Sequence, residues 1–529
     1  MAAKPKTTPR QTDTLPHALL KQRGSGVLLH VSSLPGAEGI GDLGAGARTL
    51  IDHLYAAKQT YWQVLPLGPT GFADSPYQCL STFAGNTNLI SLGDLAAKGW
   101  LPPDYDVDRP FFPQREAVYE SVIAWHDKML ARAYDGFLQK NDRDEKSDFE
   151  RFRQEQAEWL DDFALFAAIK ETHQLRPWWE WPQGEALRAP EEIAGARQAL
   201  KSRIDEMRFR QWVFARQWQA LKGYANQRGI AIIGDIPIYV AHDSSDVWTH
   251  RALFDLDENG YAVNIAGVPP DYFSATGQRW GNPLYLWKRH QKEGFAWWKK
   301  RIEAALTQFD LVRIDHFRGF WNYWSVPASQ ATAANGQWLD GPKDVFFKAL
   351  RDEVKARIIA EDLGDAMGAI VDWRKTKLHL PGMKVLQFLF GGSEEEQKQF
   401  ATYPHDPQAA DDFSVMYTGT HDNNTALGWW HSDAQPFEQE RLQKMAHTWQ
   451  IGAQAAQQPN WAMIELASRS NSVAFLTPLQ DLLNLGATAR MNTPGKGGGN
   501  WRWRCTLREL NDEQMWRRLR ALTESCARA

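Results

Sequence analysis

Eight short apolar runs, most of them separated by helix-period segments, constrain this chain more than any other feature. They occupy residues 26–31, 61–67, 230–235, 311–315, 357–362, 385–388, 414–418 and 472–476. Runs of this length bounded by Gly, Pro and Asn read as buried strands. A strand–helix–strand order implies parallel pairing, because a parallel connection needs a long crossover. Eight such units predict an α/β fold, a (β/α)8 barrel. Polar residues gather at or just after the ends of the runs, at 30–33, 235, 315, 361, 421–422 and 480–481. In such a barrel the active site sits at the C-terminal ends of the strands.

The run at 311–315 carries charge that points to a site at its end. It starts apolar and then packs Arg313, Asp315, His316 and Arg318 into six residues. A buried strand cannot carry that much charge unless the charges are paired or reach a pocket. Alternate strand residues point the same way, so Arg313 and Asp315 share a face. An Arg beside a carboxylate holds it ionised and oriented. A plain structural ion pair is the competing reading.

With 529 residues, the chain is longer than a bare barrel of about 200–250 residues. The excess falls in two insertions. Residues 87–229 hold three charged, helix-period segments near 114–138, 145–172 and 190–227 and read as a mainly helical insertion. Residues 236–300 form a second, substrate-loop insertion, irregular as far as about 287 and rich in Asp, Tyr, Trp and Gly. The loop 68–86 (GPTGFADSPYQCLSTFAGN) is long enough to be functional. Residues 1–22 lack an apolar core and read as a disordered tail, not a secretory signal. The expected layout is therefore a tail followed by one catalytic barrel over 23–529.

Net charge is −4 with balanced totals, which argues against a nucleic-acid partner. No stretch reads as a membrane span. Three scattered cysteines exclude a disulfide framework and a cysteine zinc site. A cytoplasmic protein is expected. The 25 Trp are more than a core requires, since each indole N–H must find a partner. Part of them is expected to form flat platforms for a ligand with apolar faces, such as a sugar ring.

Three carboxylates, Asp315, Glu361 and Asp422, follow the fourth, fifth and seventh runs and are expected at one mouth. Such a trio suits divalent-metal binding, with His316 and His421 as added ligands, or glycoside chemistry. Glycoside chemistry needs one ionised and one protonated carboxyl. Arg313 favours the first state at Asp315. Three apolar residues before Glu361 and Asp362 beside it favour the second. The Trp content tips the choice toward sugar.

These residues lie in strings that resemble the 4-α-glucanotransferases called amylomaltase or disproportionating enzyme, of the α-amylase superfamily. The strings are DSPYQ and STFAGN (74–86), GDIPIYVAHDSSDVW (234–248), AGVPPDYFSATGQRWGNPLY (266–285), VRIDHFRG (312–319), AEDLG (360–364), YTGTHDNNT (417–425) and QDLLNLGATARMNTPG (480–495). The first strand begins near residue 26, so the chain resembles the shorter members, without an extra N-terminal region. The resemblance implies retaining transfer of an α-1,4-glucan segment to a 4-hydroxyl through a glycosyl-aspartate. It implies Asp315 as nucleophile, Glu361 as acid/base and Asp422 as the third acid. It places Arg313, His421, Tyr77 and Asp235 at the donor sugar and Trp280 at the acceptor. It implies α-1,4-glucans and maltooligosaccharides as substrates, glucose as acceptor, and no cofactor or metal. Residues 261–279 and the Gly-rich 492–500 are candidate lids. An α-amylase-type hydrolase is the alternative enzyme, and a silent glucan-binding scaffold the alternative class.

Overall fold

A computed structural model describes residues 20–270, 274–364, 367–392, 405–452 and 457–529. Its strands in chain order are β1 (Gly24–Leu28), β2 (Tyr61–Gln63), β3 (Ala231–Pro237), β4 (Asn264–Val268), β5 (Gln278–Pro283), β6 (Leu311–Asp315), β7 (Asn322–Pro327), β8 (Gln337–Asp340), β9 (Ile358–Ala360), β10 (Gly382–Val385), β11 (Ser414–Tyr417) and β12 (Ala474–Pro478). Eight of them form one parallel sheet in the order β10-β11-β12-β1-β2-β3-β6-β9. Ala360 N donates to Pro381 O across the seam between β9 and β10, which closes the barrel. The eight-run reading and the (β/α)8 barrel agree with this sheet.

Strand alternation builds two cores. Leu311 joins an inner cluster with Ile233, Ile359, Met383, Val415 and Leu476, inside the barrel. Val312 and Ile314 join a larger outer cluster against the helices. The interior is thus filled with side chains, and the space for chemistry lies above it. Gly234 shows how closely the outer layer packs. A Cβ there would lie 2.1 Å from the ring of Phe309.

The sixth run departs from expectation. The strand is Gly382–Val385, and Gln387–Phe390 is a short helix. The apolar run 385–388 straddles the two, and periodicity cannot divide so short a run. The two acids after β9 also part company. Asp362 is buried away from Glu361, bonded to Arg374 Nε at 2.8 Å and Met383 N at 2.8 Å.

Between β2 and β3, long helices Tyr119–Lys140, Ala157–Thr172 and Lys201–Asn226 pack beside the barrel. The segment read as irregular between β3 and β6 is largely ordered. A four-stranded antiparallel sheet, β5-β4-β7-β8, stands over the barrel mouth with strands drawn from both sides of β6. The candidate lid 261–279 is mostly the β4–β5 hairpin, and its residues 271–273 fall outside the described residues. So do residues 1–19 of the expected tail, and Leu20 is already buried.

Sixteen of the 25 Trp are buried, and Trp338 alone is exposed. Many indole N–H groups find carbonyls, as Trp62 Nε1 does at Leu29 O. The Trp excess is therefore mainly outer-layer packing. All three cysteines are free thiols. Among the described residues, no helix is long and apolar enough to cross a membrane.

Candidate active site

The site is built upward from β3 and β6. Their register sets Asp235 opposite Arg313 and Pro237 opposite Asp315. Arg313 Nη1 lies 2.6 Å from Asp235 Oδ2, and Nη2 lies 2.8 Å from Asp315 Oδ1. Side-chain exposure rises along this chain, from 0% at Asp235 and 4% at Arg313 to 27% at Asp315. Burial works against the charge on Arg313. The carboxylates of Asp235 and Asp315 outweigh it and hold the guanidinium well above its ordinary pKa. Burial raises the Asp235 pKa, and Arg313 opposes that rise. Asp235 therefore sits under the site as the anchor of Arg313.

Tyr77 caps the same anchor. Its hydroxyl donates to Asp235 Oδ2 at 2.8 Å. Its ring stacks on His421 at 5.0 Å and leans on Trp501 at 5.7 Å. The loop that presents Tyr77 carries Ala73 and Asp74 at φ 56° and 58°, and Trp501 sits at φ 67°. Three non-glycine residues in the left-handed region around one ring are stored strain of the kind found at functional sites.

Glu361 follows β9. Its Oε2 accepts from His316 N at 2.7 Å and its Oε1 from Leu363 N at 2.8 Å. Burial raises its pKa to about 8; Arg313 opposes the rise, and the charge of Asp315 adds to it. The His316 amide reaches Glu361 because His316 is left-handed, at φ 49° and ψ 49°. That turn ends β6 immediately after Asp315. The His316 ring meets Trp280 edge-on at 4.8 Å, and burial lowers its pKa to about 4, so it is neutral.

Asp422 stands across the mouth, on the loop after β11. Asn492 Nδ2 donates to its Oδ1 at 2.6 Å. Arg490 Nη2 donates to its backbone carbonyl at 2.6 Å. His421 Nε2 lies 3.4 Å from its Oδ2. Burial and then the charge of Asp235 raise the Tyr77 pKa, with smaller contributions from Asp315 and Asp422.

The structure thus joins Asp235, Arg313, Asp315, Tyr77, His421 and Asp422 in one network, with Glu361 and Trp280 tied to it through His316. Asp315 and Glu361 sit in unlike surroundings. One is paired with a guanidinium; the other is buried with backbone amides. Sequence reasoning missed three participants. His316 acts through a backbone amide that only its conformation aims. Asn492 and Trp501 arrive from a loop remote in sequence; the sequence marks Asn492 only as part of the string QDLLNLGATARMNTPG and as the start of the candidate lid 492–500, not as a partner of Asp422. Asp481, at the eighth strand end, is buried and accepts from Thr418 Oγ1 and Ala426 N, which gives it a structural place. Among the described residues, no group of three or more His, Cys, Asp or Glu is placed to hold a metal ion.

A family model described as 4-alpha-glucanotransferase matches residues 29–509. The 4-alpha-glucanotransferase of Thermus thermophilus is 45% identical over 507 residues, 96% of this chain and 99% of that one. The enzyme of the same name from Synechocystis sp. is 45% identical over 497 residues, 93% of this chain and 96% of that one. Among solved structures, an amylomaltase from Streptococcus agalactiae in complex with acarbose aligns with a TM-score of 0.89 at 34% identity, covering 96% of this chain and 100% of that one. Agreement of this extent, in sequence and in fold, leaves one conclusion: the chain belongs to the 4-alpha-glucanotransferase family.

Proposed function

We propose that this 4-alpha-glucanotransferase transfers α-1,4-glucan segments by a double displacement on Asp315 and Glu361. The observation that carries the assignment is the contrast between the two carboxyls. Asp315 is held by Arg313 at the open end of β6, and Glu361 is buried with a pKa raised to about 8.

In the first step Asp315 attacks the anomeric carbon of the donor. Glu361 gives its proton to the departing glycosidic oxygen, and a glycosyl-aspartate forms. In the second step Glu361, now ionised, takes a proton from the 4-hydroxyl of an acceptor, which attacks and frees Asp315. Both steps pass through an oxocarbenium-like state that nearby negative charge stabilises. Asp422, fixed by Asn492, supplies that charge and holds sugar hydroxyls. Tyr77 offers its ring to the donor sugar, His421 and Arg313 orient it, and Asp235 holds Arg313 and Tyr77 in place. Trp280 carries the acceptor.

The substrates are α-1,4-glucans and maltooligosaccharides, with glucose among the acceptors. The protein works in the cytoplasm, without cofactor or metal. Residues 23–529 act as one catalytic unit, with 87–229 and 236–300 as insertions. The β4–β5 hairpin and the 492–500 loop cover the acceptor side and keep water from the intermediate.

Maltotriose as sole substrate tests this reading. Glucose together with a ladder of longer chains is the expected outcome, and labelled glucose should enter the ladder. Asp315→Asn should lower the rate at least about a thousandfold. Reducing ends rising with no longer products, or an active Asp315→Asn, contradicts it.

A further inference from the structure

His421 has two ring edges in different surroundings. Its Nε2 faces Asp422. Its Nδ1 is buried without a hydrogen-bond partner among the described residues. A cavity lies against His421, lined also by His30, Ser33, Thr420, Gln480 and Met491, with ≈ 20 Å³ of room for a water-sized sphere. About 10–15 Å³ is enough to hold one water, provided it finds two to four polar partners.

The lining supplies those partners with fixed polarity. Gln480 Nε2 donates to Ala489 O at 3.3 Å, and its Oε1 is buried without a partner. His30 Nδ1 accepts from Leu65 N at 3.3 Å, so the neutral ring carries its proton on Nε2. Burial, with His421 nearby, lowers the His30 pKa to about 3 and keeps that ring neutral. The Ser33 hydroxyl is already directed to Met491 Sδ at 3.6 Å. Among the lining groups, His30 Nε2 offers a donor and His421 Nδ1 and Gln480 Oε1 offer unpartnered acceptors, and one water can accept from the first and donate to the other two.

We infer that an internal water accepts from His30 Nε2 and donates to His421 Nδ1 and Gln480 Oε1, making His30 and Gln480 positioning residues that fix the tautomer of His421. With Nδ1 accepting, the His421 proton sits on Nε2. It then points at Asp422 and at the donor sugar. The other tautomer would set a lone pair against the Asp422 carboxylate. The relay runs from the Leu65 amide through His30 and the water to His421, and it rests on the donor-site role proposed for His421 above.

The test uses the full-length protein labelled with ¹⁵N-histidine, and crystals at a resolution that orders internal waters. The wild type should show a water within hydrogen-bond distance of all three atoms. His30 and His421 should both carry their proton on Nε2, the His421 signals being assigned by their loss in His421→Gln. Gln480→Leu and His30→Leu should each shift His421 toward a mixture of tautomers. Each should lower kcat/KM for maltotriose about tenfold, the weight of one ordinary hydrogen bond. A wild-type cavity without an ordered water, a wild-type His421 protonated on Nδ1, or a tautomer unmoved in both variants overturns the inference. The wild-type readings stand even if a variant fails to fold. Full transfer activity in His421→Gln would instead overturn the role assigned to His421, and so is distinguishable from loss of the water.

Discussion

Glu361 is a carboxyl whose environment opposes its charge. Its pKa is raised to about 8, chiefly by burial, from an ordinary value of 4.5. Two consequences follow with definite sign. The acid step needs the protonated form, so kcat/KM should fall about tenfold per pH unit above about pH 8. Between pH 4.5 and about 8 the folded state holds a proton that the unfolded chain has lost. Stability therefore declines as pH rises through that window, and the contribution is complete only below about 4.5. Glu361→Gln has no such titration. The stability difference between the variant and the parent should move toward the variant by a few kcal/mol, on the order of 1.4 per pKa unit, from pH 4 to pH 8. Denaturant titrations at the two pH values check it, and a difference that does not change with pH contradicts the buried-acid account.

At the scale of elements, the site joins strand ends to loops, and the two differ in legibility. Asp235, Arg313, Asp315 and Glu361 were readable because strand alternation and strand-end polarity are periodic signals. Asn492 was not, because a loop residue meets its partner through the course of the chain, here 70 positions away. His316 was not, because nothing in a histidine announces a left-handed backbone. The sixth strand slipped by three residues for want of a periodicity long enough to fix it. The loop partner can still be weighed. Asn492→Ala leaves Asp422 without its 2.6 Å donor. A hydrogen bond to a charged group contributes about 1.5–3 kcal/mol. Transfer kcat/KM should fall between about tenfold and a hundredfold while the melting temperature stays close to that of the parent. Unchanged kinetics would mean that Asn492 does not position Asp422.

At the scale of the molecule, the barrel was legible as alternation, whereas the Trp count pointed to sugar without saying which rings would meet it. Composition cannot distinguish a ring that faces ligand from one that packs helices on strands, and most of the 25 Trp do the latter. One long-range tie had no sequence signal at all. Arg528 is fully buried, and its guanidinium donates to the carbonyls of Gly24, Ser468, Ser470 and Ser472. It thus fastens the chain just past the last helix, Glu513–Ser525, to the N-terminal ends of β1 and β12, opposite the active site. Arg528→Ala leaves those buried acceptors unpaired, which should cost about 3 kcal/mol or more. The melting temperature should drop clearly while KM at 25 °C is unchanged. A variant as stable as the parent contradicts the role of this anchor.

The central claim is that Asp315 forms the bond to sugar and Glu361 moves the proton. The most direct measurement uses Glu361→Gln and an α-maltosyl fluoride whose non-reducing 4-hydroxyl has been removed. Fluoride departs without help from an acid, and the missing hydroxyl prevents the reagent from serving as its own acceptor. The first step should then run and the second stall. Intact-mass analysis should show one added deoxymaltosyl group, and peptide mapping should place it on Asp315. An adduct on another residue, or fluoride release with no adduct at any time, contradicts the account.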